Sequence, residues 1–393
     1  MASEQTCTLG SVLRPRSGDN RYVKAASCSL RVVLQGSLGV YGVETFVNRL
    51  SFHLRRIGFD VVTLAPFGRI LFRAGKSRLI FQGGSRNEID WRRALTGSNI
   101  VHLNYALVSL PLLFRRSSSL PPIVYTVHGL PQPELESQPM YKIGYMFEKA
   151  SLGHIADRAT KVVAISDYVR DLLKKIYGID AVVIRNGVDT DIFHPLTRNE
   201  REKVKSNLQI PLGKRIILFV GRLHPYKDPM TLVRCMPTII KKNPNAYFVM
   251  VGDGPLKGAV SSEVMHSGLE KRVRLIPRLP LSRLVEWFQV SDIFVSTSPG
   301  EMLGFTVLEA MSSGIPVVAS ISGSPPEVLG PSGTFFKPRD HRNLAEKIFN
   351  VLSDERSAVE NGQKAREIVL RDFRWEDVAS RYADLYRNVA STA

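Results

Sequence analysis

The chain has 393 residues, 44% of them hydrophobic, with a formal net charge of +17 and a mean hydropathy of −0.04. That length exceeds one ordinary doubly wound domain and suits two, each with its own core. No apolar run of about 18 residues occurs, and Cys7, Cys28 and Cys235 are too few and too scattered for a metal cage or a disulfide framework, which argues against a spanning helix and a disulfide scaffold.

A reducing, cytoplasmic setting is the resulting expectation. Basic side chains outnumber acidic ones 25 to 15 in residues 1–195 and 28 to 21 in the remainder. An excess spread over both halves fits a polyanionic neighbour: a nucleotide, an anionic membrane surface or nucleic acid. A general compositional preference for basic residues would look the same.

Residues 1–29 read as a polar extension with no apolar stretch long enough for a signal peptide. Residues 30–35 form an apolar, β-branched run, followed by a turn carrying Gly36, Gly39 and Gly42. Phe46, Val47, Leu50, Leu54 and Ile57 then recur at helical spacing until Gly58 stops the helix, and residues 61–64 make the next strand. This is a βαβ unit, so a parallel sheet is expected. Further strands are predicted at 100–103, 123–127, 161–165 and 181–184. A polar segment (196–215) precedes a second start at 216–220, ending in Gly221, with strands at 247–251, 272–275, 293–296 and 316–319. The pattern predicts an α/β chain of two Rossmann-like doubly wound domains, 30–195 and 196–374, facing a central cleft. Val378, Tyr382, Leu385 and Val389 in residues 375–393 predict a terminal amphipathic helix packed across one or both domains.

Four motifs follow in order: VIRNGVDTDIFHP (183–195), FVGRLHPYKD (219–228), VGDGP (251–255) and GEMLGFTVLEAMSSGIPVVAS (300–320). Together they resemble glycosyltransferase family 4, whose members are retaining enzymes of GT-B architecture, and the resemblance spans roughly residues 30–389. It implies hexosyl transfer from a nucleotide diphosphate sugar, a UDP- or GDP-sugar, to a glycan or lipid-linked acceptor. It also implies front-face substitution, with neither metal nor other cofactor.

The residues agree with that chemistry. Arg222 and Lys227 lie just beyond a strand, where a forked guanidinium and a mobile ammonium would both reach a diphosphate. Cations held there stabilise the charge growing on the leaving phosphate more than they stabilise the ground state. Glu301 and Glu309 form the spaced pair E-x7-E; the resemblance assigns Glu301 to the transferred sugar and Glu309 to the ribose. Gly304 permits close backbone approach, and a helix starting near Phe305 would aim free amides at the anion. On the first half, Gly42 stands where the family usually has two adjacent glycines. His128, after strand 123–127, is implied to contact the transferred sugar by hydrogen bonding and electrostatics rather than as a nucleophile. His53 and His154 sit in helical contexts and read as structural or surface residues. Pro277-Arg278-Leu279 replaces a small residue common where the base docks. Gly323-Ser324-Pro325-Pro326-Glu327 departs from a glycine pair and keeps the glutamate. No Asp-x-Asp stands at a strand end, since Asp189-Thr-Asp191 belongs to the interdomain turn.

Competing readings remain. A glycine-rich turn after a strand also suits a dinucleotide, although Ala65 and Pro66 stand where the acidic ribose ligand would be. Two glutamates also suit a glycosidase, but the adjacent cations argue otherwise. Residues 67–81 interleave Arg69, Arg73, Lys76 and Arg78 with apolar side chains, as a peripheral contact with the cytoplasmic face of an anionic membrane would require. A nucleic-acid-binding protein would use the charge but lacks any RRM, zinc or helix-turn-helix signature, so no specific nucleic acid is expected. A GT-B phosphorylase or epimerase is the remaining alternative.

Overall fold

The computed structural model describes residues 30–35, 41–64, 95, 97–106, 109, 120–132 and 139–392. The expected N-terminal extension, the turn glycines Gly36 and Gly39 and the basic–apolar stretch 67–81 lie outside the described residues. Two parallel six-stranded sheets organise the rest. The first holds β1 (Arg31–Gln35), β2 (Asp60–Leu64), β3 (Ile100–Leu103), β4 (Ile123–Val127), β5 (Lys161–Ala164) and β6 (Val182–Val183), in the order β2-β1-β3-β4-β5-β6. The second holds β7 (Arg215–Val220), β8 (Ala246–Val251), β9 (Val273–Ile276), β10 (Ile293–Ser296), β11 (Val317–Ser320) and β12 (Thr334–Phe336), in the order β12-β11-β10-β7-β8-β9.

The central strands are apolar on both faces because helices cover both sides: Val32, Val33 and Leu34 are all fully buried, as are Ile216, Ile217 and Leu218. Each predicted strand is present with ends displaced by no more than one residue. Strand β12 was not foreseen; three residues at a sheet edge carry too little periodicity to stand out.

Helix α1 (Tyr41–Arg56) buries Phe46, Val47, Leu50 and Leu54 against the first sheet, and Gly58, at φ 95°, turns the chain away. The last helix, Trp375–Ser391, follows the second sheet in sequence but belongs to the first core. Its Trp375, Val378, Tyr382, Tyr386 and Val389 pack with Val32, Leu34, Phe46 and Leu50. Each large side chain so buried contributes about 1.5–3 kcal/mol. Two hydrogen bonds fix the docking: Tyr386 Oη to His102 Nδ1 at 2.6 Å, and Tyr382 Oη to Thr126 Oγ1 at 3.0 Å. The two crossings between the sheets therefore run side by side. The Val188 amide donates to the Phe373 carbonyl at 2.8 Å, and a Cβ on Gly187 would lie 2.8 Å from the Trp375 indole.

Candidate active site between the two sheets

In each sheet the strand order reverses beside the first strand, between β1 and β3 and between β7 and β10. Loops diverge at such a point and leave a crevice beyond the carboxyl ends of the strands. The sequence-predicted residues gather at these two crevices.

On the second sheet, β7 runs into Gly221-Arg222-Leu223 and then a short 3₁₀ turn, Pro225–Lys227. This loop is pinned from two sides. Thr297 and Ser298, beyond β10, donate from their hydroxyls to the carbonyls of Lys227 (2.7 Å) and Tyr226 (2.8 Å). From β8, the Asp253 carbonyl accepts the Leu223 amide at 2.9 Å, and a Cβ on Gly252 would fall 1.9 Å from the Gly221 carbonyl, so only glycine fits. The pinned loop aims Lys227 at Glu301, Nζ to Oε2 at 2.5 Å. Burial disfavours the Lys227 ammonium, but the Glu301 carboxylate, helped by Tyr226, outweighs that and holds its pKa above the usual lysine value. Arg222 is exposed and makes no ion pair among the described residues.

Glu301 is itself held by its backbone, which pairs with Gly323 and accepts the Ser324 amide at 2.8 Å. Gly304 then turns the chain at φ 81°, with its Cβ position only 3.0 Å from the Glu301 side chain. The helix Phe305–Ser312 starts there as expected. Its first intrahelical bond is the Val307 amide to the Gly304 carbonyl at 2.9 Å, which leaves the amides of Phe305 and Thr306 outside the helical ladder. Glu309 lies on the second turn. Burial, and then the charge of Asp189, push its carboxyl up to about 8. The interdomain turn thus brings Asp189 beside a predicted ligand residue, while Arg49 pairs with Asp189 at 2.8 Å from the first-sheet side.

On the first sheet, His128 follows β4, and its Nε2 lies 2.9 Å from Asn104 Oδ1, beyond β3. Phe46 packs edge-on against the imidazole, with centroids 4.6 Å apart. Burial lowers the His128 pKa to about 3, so the ring is neutral throughout the physiological range. Gly42, in the first turn of α1, faces the second sheet: a Cβ there would lie 3.3 Å from the Phe305 ring. Phe305 in turn stacks on Trp375 with centroids 6.5 Å apart. The Phe305 ring therefore sits between Gly42 and Trp375.

The two sides also touch directly. Ser166 Oγ donates to the Met302 carbonyl at 2.5 Å, next to Glu301. Glu327 accepts the amides of Asp167 (3.1 Å) and Tyr168 (3.2 Å) at the start of the helix Asp167–Tyr177, where its charge meets the helix dipole, and Arg185 stands 3.7 Å away. His53 is buried against Glu376 at 3.7 Å and His154 is exposed, in line with structural or surface positions.

Sequence reasoning missed Gln35, Asn104 and the clamping role of Thr297 and Ser298. Each is a polar residue at or just beyond the carboxyl end of a central strand, a pattern present in the sequence itself. It attached no contact to Glu327, because a carboxylate that reaches across to another domain has no local pattern.

The comparisons with known proteins agree with this architecture. The model described as Glycosyltransferase Family 4 matches residues 40–192, and the model for Glycosyl transferases group 1 matches residues 200–368. A D-inositol 3-phosphate glycosyltransferase of Corynebacterium aurimucosum is 26% identical over 396 residues, covering 91% of this chain and 93% of the relative. Among solved structures, sucrose-phosphate synthase of Thermosynechococcus elongatus superposes with a TM-score of 0.74 at 21% identity, covering 93% of this chain and 100% of that one. Anabaena HepE in complex with UDP-glucose superposes with a TM-score of 0.69 at 16% identity, covering 92% and 100%. With one family model on each side of the cleft and a GT-B architecture of two parallel sheets, the chain belongs to the group 1 glycosyltransferases of family 4.

Proposed function

We propose that this glycosyltransferase moves a hexosyl group from a UDP- or GDP-sugar to a glycan or lipid-linked acceptor, with retention and without a metal. The observation that carries the reading is the cluster at the β7/β10 crevice. There Lys227 pairs with Glu301, the exposed Arg222 lies on the same loop after β7, and the amides of Phe305 and Thr306 open the helix that follows Glu301. Such a set suits an anion that is bound on one side and bears hydroxyls on the other. The Anabaena structure with UDP-glucose supports a nucleotide-sugar donor, and the inositol phosphate glycosyltransferase supports a polar hydroxyl acceptor.

In this reading Arg222 and Lys227 hold the diphosphate and neutralise its β-phosphate as the bond to the anomeric carbon breaks. Glu301 accepts a hydrogen bond from a sugar hydroxyl while fixing Lys227, and Glu309 takes the ribose. The acceptor oxygen bonds to the anomeric carbon on the face the phosphate leaves, and its proton passes to a phosphate oxygen. His128 and Gly42 shape the sugar end from the other side. No helix among the described residues is long and apolar enough to cross a membrane.

A screen of UDP-, GDP- and ADP-sugars by thermal shift and by slow hydrolysis tests the donor. A UDP- or GDP-sugar should raise the unfolding midpoint and be hydrolysed. Binding of none of the three classes would refute the reading, and an inverted anomeric product would refute retention alone.

A further inference from the structure

Three polar side chains occupy the carboxyl ends of adjacent strands at the switch point of the first sheet: Gln35 on β1, Asn104 beyond β3 and His128 beyond β4. Gln35 is 1% exposed and Asn104 is 4% exposed, so neither is free to choose its partners from water. Gln35 Oε1 accepts two backbone amides, from Asn104 and Tyr105, both at 2.8 Å. Only the oxygen end of the amide fits there, which sends Nε2 to Ser109 Oγ at 3.0 Å. Asn104 is oriented by the same logic. Its Nδ2 donates to the Gln35 carbonyl at 2.6 Å, an atom that only accepts. Its Oδ1 therefore faces His128 Nε2 at 2.9 Å, and a carbonyl oxygen opposite that nitrogen requires a proton on it.

We propose that Gln35 and Asn104 are positioning residues that lock His128 with its proton on Nε2, leaving Nδ1 as an acceptor for a hydroxyl of the transferred sugar. The sugar half of this inference rests on the proposed function; the locked tautomer does not. Phe46, edge-on to the ring at 4.6 Å, keeps the imidazole plane where the amide chain sets it. Burial keeps the ring neutral, so His128 does not supply a proton to the leaving group. The chain starts from buried backbone amides that must be satisfied in any case, so the orientation is fixed before the sugar arrives.

The experiment uses the full chain labelled with ¹⁵N-histidine, with the His128 signal identified by its loss in His128→Gln. Nitrogen shifts should show the proton on Nε2 and no titration between pH 8 and about pH 5. A proton on Nδ1, or a midpoint inside that range, would overturn the assignment. Asn104→Ala should weaken the tautomer preference and lower kcat for UDP-glucose hydrolysis by about 10- to 100-fold, with KM changed less than about threefold. Added to His128→Gln, it should cost nothing more. An equal loss in both backgrounds would make Asn104 merely structural. Should Asn104→Ala fail to fold, the wild-type nitrogen shifts alone decide the proposal: a proton on Nε2 supports the lock, and a proton on Nδ1 overturns it. If His128 shows the expected tautomer but the wild-type chain neither binds nor hydrolyses any nucleotide sugar, the sugar role and the proposed function fall while the lock stands.

Discussion

The two crevices have the same topology and opposite chemistry. At β7/β10 the side chains are ionic: Arg222 exposed, Lys227 against Glu301, Glu309 beside Asp189. At β1/β3 they are neutral: Gln35 and Asn104, both almost wholly enclosed, and an uncharged, half-buried His128. A parallel sheet delivers polar groups to the same place in both, and the charge of the expected ligand decides which kind is kept. A diphosphate requires compensating cations, whereas a sugar with hydroxyls requires oriented acceptors and donors whose desolvation has already been met by partners.

The comparison breaks first at Lys227. Lys227→Ala removes the cation proposed to hold the diphosphate and leaves Glu301, 8% exposed, without its counter-ion. We expect kcat/KM for the donor to fall by about 10²–10³-fold, measured by steady-state transfer or hydrolysis; a loss below about threefold would mean that the cation is not at the diphosphate.

Next is Gly304→Ala, which demands φ 81° of a residue with a side chain and crowds Glu301. A backbone penalty of about 1–2 kcal/mol is expected, with nucleotide-sugar affinity by calorimetry reduced about tenfold.

The neutral side is tested through the helix that covers it. Tyr386→Phe orphans His102 Nδ1, which is fully buried. A cost of about 1–2 kcal/mol is expected, seen as a fall of roughly 2–6 °C in Tm, with donor affinity unchanged because His102 and Tyr386 are buried in the first-sheet core.

The smallest effect distinguishes the sides by pH. Glu309, with its carboxyl raised to about 8, holds its proton in the folded chain over a range where the unfolded chain has lost it. Stability from this group is therefore present at low pH and declines as pH rises toward 8. Glu309→Gln should therefore lose less Tm than wild type between pH 5 and pH 8, measured by thermal melts. His128 and His102, both lowered to about 3, act the other way: their contribution is present above pH 6.5 and is lost as pH falls below it. Thermal melts of wild type at low pH should show that loss, reduced in His102→Gln.

Much of this was legible in the residues. Apolar β-branched runs alternating with helical periodicity suffice for two parallel sheets, because strands buried on both faces have few other compositions. Gly304 and the helix at Phe305, and the placing of Arg222 and Lys227 beyond β7, follow from local rules of turn and cap. Local rules do not reach the pairing of Lys227 with Glu301, which are 74 positions apart, or the union of Glu327 with the amides of Asp167 and Tyr168. They are also silent on the amide chain from Gln35 through Asn104 to His128, whose members come from three strands.

The terminal helix divides the two kinds of knowledge most clearly. Val378, Tyr382 and Val389 mark an amphipathic helix in the sequence alone, since a 3.6-residue period leaves one face apolar. Which core receives that face is settled only in three dimensions. The chain recrosses beside its own first crossing, with Val188 bonded to Phe373, and so delivers Trp375, Tyr382 and Tyr386 to the first sheet. Sequence determines which surfaces must be buried and which end of each strand carries polar groups; contact between distant segments decides what they are buried against and which ionic or amide partner each polar group finds.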